Sequence, residues 1–407
     1  MPSIFDSVMS DFGETAFNMN DSSTTSNASP TPSGMKVGLV GVHGYGLQHL
    51  RALQPLIRQG RCELVAVADP ATALGESADL VGHAPQFGSL EELLAHHRPD
   101  VVILSTPLHT HKTLATTALR AGCNVLLEKP PTVTLEEFSE LVSVAQETGK
   151  ACQVGFQSLG SSAYDEIDRV IADGEIGQVT GIGVVGTWVR PVTYYQRTPW
   201  AGRRTFEGRA VVDGVVTNPL SHSIATALRI EGSRRSQDIA HVDIDLYRAH
   251  DIEADDTSSV VLRTTGGTRI AAGLTLCASQ PADPRVIVQG TEGSITYYYK
   301  LDLVDVATGR GTRRIECSTV TLLENLMDHT ADPSVPLLSS LEDSGGFMRV
   351  LEAVRTAPDP TRIADEHVDW RDDEQGFHPV VRDVEAWCEK VAAELQSFTA
   401  LGAPWTR

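Results

Sequence analysis

Lys36-Val-Gly-Leu-Val-Gly41-Val-His-Gly-Tyr-Gly46 is the stretch that decides the fold. A short apolar run ends in glycine, as a buried parallel strand does, and a turn carrying Gly41, Gly44 and Gly46 follows. Leu50, Leu53, Leu56 and Ile57 then recur at helical spacing. In a strand–glycine turn–helix unit, a dinucleotide pyrophosphate can approach backbone N–H groups at a helix N-terminus. The usual fingerprint is G-x-G-x-x-G; here His43 occupies the middle glycine position, Gly44 follows it, and Tyr45 precedes the last glycine. Cys62-Glu-Leu-Val-Ala-Val-Ala-Asp69 reads as the next strand, ending in a carboxylate. Such a carboxylate accepts hydrogen bonds from an adenosine ribose and repels a 2′-phosphate. Pro70 and Ala71 follow with no arginine, so NAD is favoured over NADP.

Outward from this unit the alternation continues. Ser89-Leu-Glu-Glu92 and Thr134-Leu-Glu-Glu137 read as capping boxes that open helices. Strands are expected at Asp100–Ser105, Asn124–Lys129 and Ala151–Phe156, with a helix from Thr110 to Gly122 and another stopping at Gly149. This implies a Rossmann-type doubly wound parallel sheet over residues 35–156. After residue 157 the rhythm changes. A helix over Tyr164–Ala172, a strand at Val179–Val189 and a helical stretch at Asp213–Ile230 precede five β segments between Ala240 and Tyr299, two of them joined at Gly266-Gly267. Helices are expected near Val320–His329 and Leu341–Val354. Residues 157–357 thus read as an α+β domain with a largely antiparallel open sheet for substrate binding and oligomerisation. Residues 358–378 read as loop and Pro379–Glu394 as a last helix, forming a C-terminal extension over 358–407. The overall class is α/β. Residues 1–34, rich in Ser, Thr, Asn and Pro, read as a disordered tail or a misassigned start before Met35.

Composition narrows the function. The net charge of −20 disfavours nucleic acid and anionic membrane surfaces, and no Lys/Arg block offsets it. No apolar run approaches the ~20 residues of a spanning helix. The six cysteines are scattered, which argues against a disulfide framework or a zinc cluster and for a reducing, cytoplasmic setting. Arg190-Pro-Val-Thr-Tyr-Tyr-Gln-Arg-Thr-Pro-Trp-Ala-Gly-Arg203 is dense in polar and aromatic residues after a strand. Arg190, Tyr195 and Trp200 there suit a carbohydrate: rings stack on sugar C–H faces while Arg and Tyr bond hydroxyls.

Several further motifs resemble the Gfo/Idh/MocA family (glucose–fructose oxidoreductase, inositol dehydrogenase and relatives). They are Gly41–Gly46 with His49, Ser105-Thr-Pro-Leu-His-Thr-His111, Ala121-Gly-Cys-Asn-Val-Leu-Leu-Glu-Lys-Pro130, Gln153-Val-Gly-Phe-Gln157 and Val212-Asp-Gly-Val-Val-Thr-Asn-Pro-Leu-Ser-His222. The resemblance implies an NAD(P)-dependent oxidoreductase of a sugar, cyclitol or sugar derivative that forms a homodimer or homotetramer. It makes Lys129 the residue that holds the substrate hydroxyl and stabilises developing alkoxide charge. His222 becomes the proton acceptor, and Asn218 orients the substrate. The cofactor side would comprise Thr106, Pro107, His109, His111, Glu128, Gln157 and Arg203, beside the glycine turn and Asp69. The family motif often reads Asp-x-Gly-x-His with a further Asp three residues on; here those positions are Asn218, Leu220 and Ala225. No metal is expected, since no Cys, Asp or Glu set accompanies His109 and His111. Two other readings stay open: an NAD-requiring glycosidase with transient redox chemistry, and a non-catalytic nucleotide-binding regulator.

Overall fold

The computed structural model describes residues 34–406, so the expected tail or misassigned start lies, save Gly34, outside the described residues. Six strands form the first sheet: β1 (Met35–Val40), β2 (Cys62–Ala68), β3 (Gln86–Phe87), β4 (Val101–Leu104), β5 (Asn124–Leu127) and β6 (Cys152–Val154). Their order is β3-β2-β1-β4-β5-β6, and β1 pairs parallel with both β2 and β4. The order reverses at β1 and β4, and the crevice outside the carboxyl ends of strands at such a reversal is where open α/β sheets take ligands. Val37, Leu39 and all of Val101–Leu104 are fully buried, which explains their near-continuous apolar character. The helix Gly46–Arg58 turns Leu50, Leu53 and Leu56 inward, as their spacing predicts.

Both predicted caps form, in a shifted version. Ser89 and Thr134 accept from the N–H groups of Glu92 and Glu137 at 3.2 and 3.1 Å. The glutamates, however, reach back to the N–H groups of Gly88 and Val133, one residue before each cap.

Packing divides the chain into two units. The first takes in the chain up to Thr106 with Thr117–Val125; the second holds Pro107–Thr116 and the chain from Leu126 onward. In the second lie β7 (Val179–Thr187), a small ribbon of β8 (Thr205–Phe206) and β9 (Arg209–Ala210), β10 (Ile239–Arg248), β11 (Thr257–Thr264), β12 (Arg269–Thr275), β13 (Arg285–Gly290), β14 (Gly293–Tyr298), β15 (Leu303–Thr308), β16 (Gly311–Glu316) and β17 (Thr361–Arg362). Its large sheet runs β16-β15-β14-β13-β7-β12-β11-β10-β17, mostly antiparallel, with parallel pairs β7–β12 and β10–β17. β15 and β16 extend it beyond the strands read from the sequence.

Two expectations are corrected. The helix expected from Asp213 begins only at Ser221 and runs to Glu231. Residues 211–220 are irregular and end at Pro219–Leu220; Pro219 lacks the N–H a helix interior needs. The C-terminal loop is instead a hairpin of β18 (Val368–Asp373) and β19 (Gly376–Val381), and the helix expected from Pro379 spans Val384–Glu394, with a further short helix at Phe398–Leu401. The Asp-rich sequence of β18 hides its strand character; it is held by the Trp370–Phe377 stack at 4.9 Å and the Arg382–Asp369 ion pair.

The helix Val384–Glu394 packs on one face of this open sheet. Val384, Cys388, Val391 and Ala392 form one core with Val185, Ala271, Phe398 and Trp405. The helix approaches so closely that a Cβ on Gly183 would lie 2.5 Å from the Ala392 carbonyl oxygen. This helix therefore covers the centre of one face of the sheet, over β7 and β12. All six cysteines are free, and no helix among the described residues is long and apolar enough to cross a membrane.

Candidate active site

In the first unit the glycine turn is dictated by sterics. Gly41 has φ +87°, and a Cβ there would lie 2.0 Å from the Ser105 carbonyl oxygen; one on Gly46 would lie 2.0 Å from the Gly41 carbonyl oxygen. Gly44, also at positive φ, and His43 are exposed, and Tyr45 sets its ring edge-on to His49 at 5.4 Å. Tyr45 caps the helix without a side-chain bond, and the first turn carries no acidic residue. A helix N-terminus left in this state suits an anionic pyrophosphate. Asp69 Oδ2 accepts from the Val42 N–H at 3.0 Å and Oδ1 from the Ala71 N–H at 2.9 Å, which ties the carboxylate to the turn. Thr106 lies two residues beyond β4. These residues fit a dinucleotide: small ones where backbone must approach phosphate, and a carboxylate ending β2.

In the second unit, β5 ends at Leu127 and delivers Glu128 and Lys129, followed by a cis Lys129–Pro130 bond. Glu128 accepts from Gln157 Nε2 and from the Lys129 N–H, both at 3.3 Å. Buried His111 donates through Nδ1 to the Pro130 carbonyl at 2.8 Å, which places it as a support for the Lys129 turn. Lys129 Nζ donates to Asn218 Oδ1 at 2.9 Å and to the Asn218 carbonyl at 3.1 Å. Asn218 Nδ2 donates to Asp213 Oδ1 at 2.5 Å. Asp213 Oδ2 accepts from Arg197 Nη2 and from the Gly202 N–H, each at 2.8 Å. Arg197 stacks 3.8 Å over Tyr194 and lies 5.5 Å from the Trp200 ring.

His222 sits in the first turn of Ser221–Glu231, edge-on to Phe156 at 5.8 Å. Its Nδ1 is buried with no hydrogen-bond partner among the described residues. Burial, with the Lys129 charge second, pushes its pKa down to about 3, so the ring is neutral near pH 7. Burial also pulls the Lys129 ammonium down to about 8; Glu128 and Asp213 act against that fall and Arg197 adds to it. The lysine therefore titrates close to neutrality.

The remaining candidates are placed differently. Tyr195 sets its ring edge-on to His250 at 4.8 Å and buries its hydroxyl without a partner among the described residues. Arg190 is buried, with its guanidinium 4.9 Å from the Trp188 ring and 5.1 Å from that of Tyr194. Arg203 is exposed and faces Glu253 at 3.7 Å. Exposed His109 is lowered by partial burial, then by Arg209, against an opposing effect of Glu207; Pro107 is exposed as well. Sequence reasoning missed the roles of Arg197 and Asp213. The signal for Asp213 was there: one carboxylate between Val211-Val212 and Val215-Val216 must find partners once buried.

No metal was expected, yet His250, Asp256 and Cys277 bring one ligand atom each within 4.8 Å of one another. The cluster is already closed by hydrogen bonds. Asp256 accepts from the Ala249 and His250 N–H groups and from His250 Nδ1 at 2.8 Å, while His250 Nε2 donates to the Arg190 carbonyl at 3.0 Å.

Comparison with known proteins agrees with this layout. Residues 35–156 match the oxidoreductase family model with NAD-binding Rossmann fold, and residues 164–296 match the GFO/IDH/MocA C-terminal domain. An uncharacterized oxidoreductase of Rhizobium meliloti is 31% identical over 159 residues, covering 38% of this chain but only 46% of that relative. Inositol 2-dehydrogenase 2 of Saccharopolyspora erythraea is 27% identical over 268 residues, covering 65% of this chain and 73% of its own length. Among solved structures, the WlbA dehydrogenase of Bordetella pertussis, crystallised with NADH and UDP-GlcNAcA, superposes with a TM-score of 0.65 at 21% identity, over 79% of this chain and 95% of that one. An oxidoreductase domain protein of Kribbella flavida gives a TM-score of 0.67 at 20% identity, over 80% and 97%. With both of its domain models matched and its glycine turn built for a dinucleotide, the chain belongs to the Gfo/Idh/MocA family of NAD-binding oxidoreductases.

Proposed function

We propose that the protein transfers a hydride between NAD and a secondary alcohol of a sugar, cyclitol or sugar derivative, as a cytoplasmic homo-oligomer. The observation that carries this reading is Lys129 Nζ held on Asn218 beside a neutral His222 whose buried Nδ1 has no partner among the described residues. The similarity to an inositol dehydrogenase and to a dehydrogenase crystallised with a nucleotide sugar supports a polyhydroxylated substrate. Free cysteines accord with a reducing compartment.

When bound, the nicotinamide supplies the hydride acceptor. The chain's own residues do the rest. Neutral Lys129 accepts the proton of the reacting hydroxyl, and the ammonium so formed stabilises the negative charge left on that oxygen. Because Lys129 titrates near 8 and His222 near 3, the lysine is the better-matched proton acceptor near neutral pH. His222 is then a neutral hydrogen-bonding group that orients the hydroxyl, a role shifted from the one expected of it. Asn218 holds the lysine, and the aromatic and basic residues of 190–203 contact the sugar. Asp69 selects NAD over NADP.

A screen of sugars, cyclitols and nucleotide sugars with NAD and NADP, with product identification, tests the reading. Net NADH formation with one substrate class is expected. Sugar release without net NADH would establish the glycosidase alternative; tight NAD binding with no turnover on any substrate would leave a regulator.

A further inference from the structure

The motif position that often carries an acid holds Asn218 here, yet a carboxylate lies one hydrogen bond further out. We propose that Asp213 is a positioning residue: through the Asn218 amide it supplies the negative charge that fixes the Lys129 ammonium and sets how firmly that ammonium keeps its proton. The inference rests on the reading of Lys129 as the reacting lysine.

The geometry leaves Asn218 one orientation. Asp213 only accepts, so Asn218 must turn Nδ2 toward it, and Oδ1 then faces Lys129 Nζ. Asp213 is itself fixed from the other side by Arg197 and the Gly202 N–H, both from the polar, aromatic stretch. The charged and titratable groups acting on Lys129 are Glu128, Asp213, Arg197 and His222. Of these, Asp213 is the anion joined to the lysine through Asn218, and its field favours the ammonium.

Asp213→Asn removes that charge and breaks the donor–acceptor sense. The NH2 at 213 faces the Asn218 NH2 as a second donor, unless Asn218 flips and presents Nδ2 to the ammonium, or it turns instead against the Arg197 and Gly202 donors. The exchange Asp213→Asn/Asn218→Asp keeps every bond in sense. An amide oxygen at 213 accepts from Arg197 and Gly202, its NH2 donates to the new carboxylate at 218, and that carboxylate accepts from Lys129.

The test is competitive labelling of Lys129 with acetic anhydride across pH, read by mass spectrometry on the full chain, which needs no substrate. Asp213→Asn should lower the pH at which Lys129 becomes reactive by about one unit, and the exchange should return it to the wild-type value or above. On an oxidisable substrate, the pH–kcat profile should move with the labelling. Unchanged labelling in Asp213→Asn, or an exchange variant that stays as low as the single one, overturns the proposal. If Asp213→Asn does not fold, the exchange variant decides alone by the same criterion. A wild-type protein that labels as expected but oxidises nothing contradicts the functional reading and leaves the electrostatic one standing.

Discussion

Asp213 and Asp256 are both buried carboxylates of the second unit, and each accepts from backbone N–H and from a side chain. Around Asp256 the bonding closes: His250 meets an oxygen at each ring nitrogen, and Cys277 lies 3.6 Å from the same Nδ1. Around Asp213 it ends in groups held for something else. The chain of bonds runs from Arg197 to Lys129 and stops beside His222, whose Nδ1 meets no partner among the described residues. A buried polar atom without a partner costs about 1–3 kcal/mol, and burial that pulls the Lys129 ammonium down to about 8 disfavours its charged form. A fold gains nothing from either. On the proposed reading, the contrast separates a polar cluster that stabilises from one that waits for a substrate.

The contrast can be broken most strongly at the closed cluster. Asp256→Ala should lower unfolding free energy by about 3 kcal/mol or more, because it leaves His250 and two backbone N–H groups without their acceptor; urea titration measures it. A loss near zero would mean the cluster contributes no stability. His222→Ala should leave the midpoint of unfolding near that of the wild type yet reduce turnover about 100-fold, the opposite pattern. Equal turnover would remove His222 from the site.

The pH dependence is a subtler consequence. Lys129 must be neutral to take the hydroxyl proton, so the oxidation rate should rise as pH passes about 8, while the reverse reduction, which uses the ammonium, falls over the same range. His222, held near 3, should contribute no limb around pH 6.5. A limb there in the wild type that vanishes in His222→Ala would return proton transfer to the histidine. The smallest effect is expected from chelation. Treatment with EDTA should leave the Tm and turnover unchanged, since hydrogen bonds already satisfy His250 and Asp256; a drop in Tm would show that the cluster holds a cation.

Much of this was legible in the residues. The Rossmann strands, the glycine turn and Asp69 carry period and turn chemistry within a few residues of one another, and they fold as read. Lys129, Asn218 and His222 could be named because they stand in motifs. Three things could not be read. β18 is written in Asp, Arg and Trp and is exposed from Asp369 to Asp373, so no buried face imposes alternation on it, while its partner β19 is buried from His378 to Val381. The approach of the helix Val384–Glu394 to Gly183 joins Gly183 and Ala392, 209 positions apart in sequence, for which local pattern carries no signal. Arg197 and Asp213 act through hydrogen bonds closed only in three dimensions, so the stretches containing them were recognised while their roles were not. Tyr195, chosen for its chemistry, sets its ring edge-on to His250, a contact local pattern does not show.

The central claim is that the cluster ending at Lys129 is where the substrate reacts. The most direct measurement is the turnover of Lys129→Ala on the identified substrate at saturating NAD, with NAD binding measured on the same preparation. The account predicts a fall in kcat of at least ~100-fold with NAD affinity retained. Near wild-type turnover in that variant would contradict it.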